Sequence, residues 1–262
     1  MTKRPPPAGS AGFVHTARGY AATMAPSLSP VAAEVVRRAA LQPGERVLDV
    51  GSGTGIAAAA AVGDGRTVLG VDGASAMLEI ARHDVPDATF EVMDFNDLQL
   101  DTGSWDVVVS SHALLFAEDR LAALREWRRV VRPDGRLSLS VPGPGELTPS
   151  AIYGEIYERL GINTSGQYPT QDELAGWAEQ AGWRGVRTAA DAAMAIRLRD
   201  EEAFRMWRRI GSRATATAGL TEAEHEELTA QMLAVTPREE DGTFRIPFGA
   251  LYLTAQNGST GD

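Results

Sequence analysis

Few residues of this chain are equipped for chemistry, and the best-organised set is Asp49, Gly51, Gly53 and Gly55 within VLDVGSGTG, residues 47–55, followed by Asp72. Glycines let a ligand approach the main chain closely. Asp72 follows Gly51 by 21 residues, near the ~20-residue spacing at which a βαβ unit offers a carboxylate to both hydroxyls of an adenosine ribose. By spacing alone the set fits a nicotinamide dinucleotide or another adenosine-containing cofactor. Cysteine is absent, which removes disulfides, thiolate catalysis and thiolate metal sites. The four histidines, His15, His83, His112 and His225, are far apart and show no ligand spacing, so no metal site is expected.

The elements needed to position these groups are legible in order. Val47, Leu48 and Val50 read as a strand buried on both faces. Ile56 to Val62 continues as a helix whose free N–H groups would face a ligand in the glycine loop. Further strands are expected at Thr67–Val71, Thr89–Met93, Asp106–Ser111 and Arg136–Val141, the last entered through a turn at Pro133, Asp134 and Gly135. Before the first strand, Phe13–Ala25 reads as a short helix, and a second starts with Ser29 as cap and Pro30 at its first position. Capping boxes at Thr170/Glu173 and Thr221/Glu224 open later helices, another follows Asp200, a sixth strand lies within 184–198, and Phe244–Ala255 closes the sheet.

Two details separate the possible cofactors. The dinucleotide fingerprint wants a glycine at the sixth loop position, which here is Ile56, and the glycines instead run G-x-G-x-G behind Asp49. In this the chain resembles the class I S-adenosylmethionine-dependent methyltransferases of the small-molecule type. The resemblance continues in order through VLGVDGASAML (68–78), FEVMDFNDL (90–98), WDVVVSSHALLF (105–116) and RVVRPDGRLSLSVPG (129–143).

The resemblance implies an α/β fold: a Rossmann-like, doubly wound, mostly parallel seven-stranded sheet with helical cap insertions. It implies S-adenosyl-L-methionine as cofactor, held by Tyr20, Asp49, Gly51, Ser52, Gly53, Gly55, Asp72, Gly73, Met77, Asp94, Phe95 and Ser110. In detail, Asp49 would balance the positive methionine end, which Tyr20 would touch, Asp72 would take the ribose, and Met77 would pack on adenine. Asp94 would accept the adenine amino group, or else cap its own loop, and the Phe95 N–H would reach the ring. Tyr20 is followed by Ala21 where the family usually has aspartate. His112, delivered to the carboxyl edge of the sheet, is the best candidate general base or substrate contact, with His15 a poorer one.

With 262 residues, 44% hydrophobic and 23% charged, the chain suits one α/β domain with a cap. Residues 1–12 are expected to be disordered, 13–142 to form the cofactor-binding core, 143–256 the cap and final strands, and 257–262 a flexible end. A formal charge of −10 argues against a nucleic-acid partner. No run approaches the ~20 apolar residues of a membrane span and no secretory signal is visible, so a cytoplasmic monomer or homodimer with a small-molecule substrate is expected. SSHA at 110–113 is not the Asn/Asp-Pro-Pro-aromatic sequence of nucleic-acid amino methylation, and no carboxylate cluster suggests metal-assisted catechol chemistry. The aromatic residues Tyr153, Tyr157, Tyr168, Trp177 and Trp207 could line an acceptor pocket, such as one for a natural-product intermediate, or form core. The competing functions are a nicotinamide oxidoreductase and a member of the fold that binds the cofactor without methylating.

Overall fold

A computed structural model describes residues 13, 16–161, 168–210 and 217–258. The strands are β1 (Arg46–Val50), β2 (Thr67–Asp72), β3 (Thr89–Val92), β4 (Trp105–Ser111), β5 (Val131–Pro142), β6 (Arg184–Asp191), β7 (Ala195–Leu198), β8 (Phe244–Pro247) and β9 (Ala250–Gln256). Seven of them form one sheet in the order β3-β2-β1-β4-β5-β9-β6, while β7 and β8 pair as a separate ribbon. Strands β1 to β5 pair in parallel, and β9 runs antiparallel to both β5 and β6. This is the expected doubly wound, mostly parallel sheet. Its order reverses between β1 and β4, and open α/β sheets bind ligands beyond the carboxyl ends at such a point.

Alternation along the strands divides the core. Val47, Val68, Val107 and Val109 face α2 (Ala25–Ala39), α3 (Ile56–Ala61) and α4 (Ser75–Asp84). Leu48, Leu69, Val108, Leu137 and Leu253 face α5 (Arg120–Val130) and α7 (Gln171–Gln180). Both faces are covered, which is why the parallel strands carry near-continuous apolar runs. A short α1 (Ala17–Thr23) precedes α2. The cap is built from α6 (Ser150–Arg159), α8 (Glu201–Arg208), α9 (Glu222–Val235) and the β7–β8 ribbon. Both capping boxes form, and Asp200 caps α8 through the Ala203 N–H.

Four stretches differ from the sequence reading. Helix α2 begins at Ala25, not at Pro30: Pro26 sits in its first turn, Pro30 is interior, and the Ser29 hydroxyl donates to Ala25 O. Both prolines are exposed, so water can serve the carbonyl that Pro30 leaves without a donor. The stretch 184–198 is two strands, and Phe244–Ala255 is two more, because β7 and β8 leave the main sheet to pair with each other. The Pro133–Gly135 turn is absorbed as a register shift between Trp105 and Val107 against a continuous β5, with Asp134 at φ 63°.

Residues 1–12 and His15 lie outside the described residues, as do 259–262. Asn257, expected in a flexible end, is instead buried. Its side-chain amide donates to the carbonyls of Arg128, Val131 and Arg132 at 3.2, 2.7 and 3.2 Å, tying the β9 end to the α5–β5 junction. Asn257→Ala would leave buried carbonyls without donors, at a cost of about 1–3 kcal/mol. Urea unfolding of the variant should show a lowered midpoint with an unchanged slope.

Candidate active site

The loop after β1 is shaped by its backbone. Gly51, Gly53 and Gly55 all have positive φ, at 71, 55 and 83°. A Cβ on Gly51 would stand 2.1 Å from the Ala113 Cβ, so the loop can lie against the end of β4 only with glycine there. The Gly51 and Ser52 N–H groups both donate to Val71 O, at 2.8 and 3.0 Å. Gly53 N–H donates to Asp72 Oδ2 at 2.9 Å, and Ala74 N–H to Asp72 Oδ1 at 2.8 Å. Asp72 thus fixes the loop and the start of α4 together. Burial raises its carboxyl pKa, with these N–H donors opposing the rise.

Asp49 is fully buried behind the loop. Its Oδ2 accepts from Ala58 N–H at 3.0 Å, so the acid occupies the N-terminal turn of α3 that the sequence suggested was open to ligand. Its Oδ1 has no hydrogen-bond partner. Burial pushes its carboxyl up to about 7, against the pull of the Ala58 N–H, and nearby Asp72 adds to the rise.

Beyond the loop lies a cavity of about 350 Å³, within the size range of small-molecule sites. Tyr20, Gly51, Gly53, Asp72, Met77, Phe95 and His112 all line it, joining groups from α1, the glycine loop, β2, α4 and the ends of β3 and β4. Burial, then the carboxylates of Asp72 and Asp49, raise the Tyr20 hydroxyl far above its ordinary pKa, so it remains a neutral donor. Phe13 stacks edge-on against both Tyr20 and Phe116, at 5.7 and 5.3 Å between ring centres, and both partners are cavity residues.

Other expected residues serve the site from behind or stand apart. Ser52, Gly55 and Gly73 are buried but do not line the cavity. Ser110 is fully buried, and its hydroxyl donates to Val50 O at 2.8 Å, clamping β4 to β1. Its neighbour Ser111 is the one at the cavity, since successive strand residues face opposite ways. Asp94 caps its own loop: Oδ1 accepts from the Asn96 N–H at 2.9 Å and the Asn96 amide at 3.0 Å, and the residue is not at the cavity wall. Of the aromatic residues considered for the acceptor pocket, only Tyr168 lines it. Tyr153, Tyr157 and Trp207 are core of the cap, and Trp177 lies under the Arg120 guanidinium, 4.9 Å from ring centre.

His112 follows β4 directly, at a left-handed φ of 59°. Its ring packs on Phe248, 5.4 Å between centres, and Nδ1 shares a 2.9 Å hydrogen bond with Ser140 Oγ. Burial pushes its pKa down to about 3, so the ring is neutral through the physiological range. Its Nε2 is buried and has no hydrogen-bond partner. Sequence reading missed Met24, Leu28, Phe116, Ile210 and Phe248, which complete this end of the cavity. Phe248 comes from the two-residue link between β8 and β9, a placement visible only once the ribbon is recognised.

The donor set fits an adenosine-bearing sulfonium cofactor. It offers apolar Met77 and Phe95 for a ring, the Asp72 carboxylate for hydroxyls, and a second acid, Asp49, with a free buried oxygen behind the loop. Residues 48–139 match a family described as a methyltransferase domain. The chain is 33% identical over 164 residues to a demethylmenaquinone methyltransferase of Beutenbergia cavernae, covering 55% of this chain and 68% of that one. This chain is a class I S-adenosylmethionine-dependent methyltransferase. The methyltransferase also shares 35% identity over 133 residues with a nocamycin O-methyltransferase of Saccharothrix syringae, 48% of each chain. In fold it resembles a Haemonchus contortus phosphoethanolamine N-methyltransferase solved with S-adenosylhomocysteine, at 19% identity and a TM-score of 0.57, over 88% of this chain and 53% of that one. The nicotinamide alternative is thereby set aside: the cofactor is S-adenosyl-L-methionine, and the enzyme methylates small molecules. No helix of the described residues is long and apolar enough to cross a membrane.

The raised carboxyl of Asp49 carries a pH signature. Unfolded, it titrates near 3.8; folded, near 7. Its contribution to stability is fully present below the lower value and is lost as pH rises through the upper one. His112, with its lowered pKa, pulls the other way over much of the same range, so the signature is the difference in thermal stability between the free native protein and Asp49→Asn, which should fall between about pH 4 and 7.

Proposed function

We propose that the methyltransferase acts on a small, mainly apolar acceptor that presents a hydroxyl or comparable protic group to His112, of the kind met among natural-product intermediates. The observation that carries this is His112 Nε2, which among the described residues lining the cavity is the one buried side-chain polar atom without a hydrogen-bond partner, set among Phe248, Met24, Leu28 and Ile210. An apolar wall with one buried polar anchor orients a ligand through that anchor, because leaving it unpaired costs about 1–3 kcal/mol. The names of the relatives, one acting on demethylmenaquinone and one an O-methyltransferase of nocamycin, agree with an organic acceptor of this kind.

When bound, the cofactor supplies a methyl group made electrophilic by its sulfonium. The residues of the chain do the rest. Asp72 and the glycine loop hold the adenosine portion, Met77 and Phe95 flank the ring, and Tyr20 with Asp49 serves the methionine end. Phe13, Tyr20 and Phe116 help exclude water. His112 orients the acceptor and receives its proton at Nε2; His15 takes no part in the proposal. The formal charge of −10 disfavours nucleic acid as substrate, and the enzyme works as a cytoplasmic monomer or homodimer.

The test is turnover of a panel of hydroxylated aromatic and aliphatic compounds with S-adenosylmethionine, read as S-adenosylhomocysteine by mass spectrometry. His112→Ala should lower kcat by about 10²-fold or more while S-adenosylhomocysteine still binds. Turnover confined to amines, or untouched by the substitution, would contradict the reading.

A further inference from the structure

A neutral imidazole whose pKa lies near 3 is a poor place to leave a proton. The groups behind His112 offer a way around this. Ser140 is fully buried on β5, and its hydroxyl meets His112 Nδ1 at 2.9 Å, while its carbonyl accepts the His112 N–H at 2.9 Å. Ser111 stands directly opposite Ser140 in the β4–β5 register, with the two hydroxyl oxygens 3.5 Å apart. Ser111 lines the cavity, as His112 does. The sequence Nε2, Nδ1, Ser140 Oγ, Ser111 Oγ therefore starts and ends at the same cavity, and its interior member is sealed from water.

We infer that Ser111, Ser140 and His112 form a reversible proton relay, in which Ser140 is a positioning residue that lets the imidazole accept the acceptor's proton without becoming a cation. The chain has two self-consistent polarities. In one, Nδ1–H donates to Ser140, Ser140 to Ser111, and Nε2 is a bare acceptor. In the other, Ser111 donates to Ser140, Ser140 to Nδ1, and Nε2–H is a donor. Every internal donor has an acceptor in both.

In the forward step the acceptor's heteroatom–hydrogen bond breaks as that atom forms its bond to the methyl carbon, whose bond to the leaving sulfur breaks with the electron pair staying on sulfur. The released proton goes to Nε2, the Nδ1 proton passes to Ser140 Oγ, the Ser140 proton to Ser111 Oγ, and the Ser111 proton to cavity water. One proton enters and one leaves, and no member gains charge. After product release a proton from water returns through Ser111 and Ser140 to Nδ1, and Nε2 gives up its own to water in the emptied cavity. The other titratable groups of the cavity wall are Tyr20, Asp72, Arg120 and Tyr168. None of them hydrogen-bonds the imidazole.

This inference rests on the proposed acceptor chemistry, so its test is one that needs no acceptor. Full-length protein carrying ¹⁵N-histidine is saturated with S-adenosylhomocysteine, and the imidazole nitrogens of His112 are read by NMR from pH 5 to 9, assigned by loss of the signals in His112→Asn. The relay predicts a neutral ring throughout with both tautomers populated. It further predicts collapse to one tautomer in Ser140→Ala, a shifted tautomer ratio in Ser111→Ala, and recovery of the mixture in Ser140→Thr. A single tautomer in the native protein, or a mixture indifferent to both alanine substitutions, would overturn the relay while leaving methyl transfer intact. Failure of S-adenosylhomocysteine to bind would instead fault the placement of the cofactor, and a histidine titrating within the range would show that the ring carries the proton itself.

Discussion

The site depends on the backbone contact between the β1 loop and the end of β2. Two loop N–H groups converge on Val71 O and a third reaches the Asp72 carboxylate, so the loop is drawn across the sheet edge before any ligand arrives. That placement brings Gly51 against Ala113, where no side chain fits. It also sets the loop beside the first residues after β4, which include His112. One backbone arrangement thus shapes the glycine loop and places His112 beside the same cavity, at the strand reversal between β1 and β4 where open α/β sheets bind ligands.

The electrostatics of the site follow from the burial this arrangement imposes. Asp49 and Asp72 are pushed toward protonation, and Tyr20 is held neutral. A cationic ligand beside them relieves part of the desolvation that raises the two acids. His112, at the other end, is driven to neutrality by the same burial, with Ser140 behind it and Phe248 stacked on it. An imidazole so placed is suited to orienting a group and passing a proton on, rather than to storing positive charge.

The parallel half of the fold was legible because its signals are local: apolar strands, the glycine loop, the ribose-spaced acid and two capping boxes. Tyr20, Gly51, Gly53, Asp72, Met77, Phe95 and His112 do converge on one cavity. Ser110 and Asp94 do not, and the reasons are geometric. Strand alternation gives the cavity to Ser111, and Asp94 is engaged by the Asn96 backbone. The start of α2 was obscured by Pro30, whose lost hydrogen bond is cheap at an exposed position. The β7–β8 ribbon was hidden because each strand is continuous in character with a neighbour that belongs to the main sheet. Phe248 and Ile210 reach the site only through tertiary packing of the cap, for which no local pattern exists.

The central claim is that Asp72 and the glycine loop hold S-adenosylmethionine. Thermal unfolding with S-adenosylmethionine, S-adenosylhomocysteine and NAD, for the native protein and Asp72→Ala, tests it most directly. At about 100 times its dissociation constant a specific ligand adds roughly 2.7 kcal/mol, a rise of ~5–10 °C for a chain of this size. The account predicts that rise with the two sulfur ligands, its loss in Asp72→Ala, and no shift with NAD. A shift with NAD alone, or one from the sulfur ligands that survives the substitution, would contradict it.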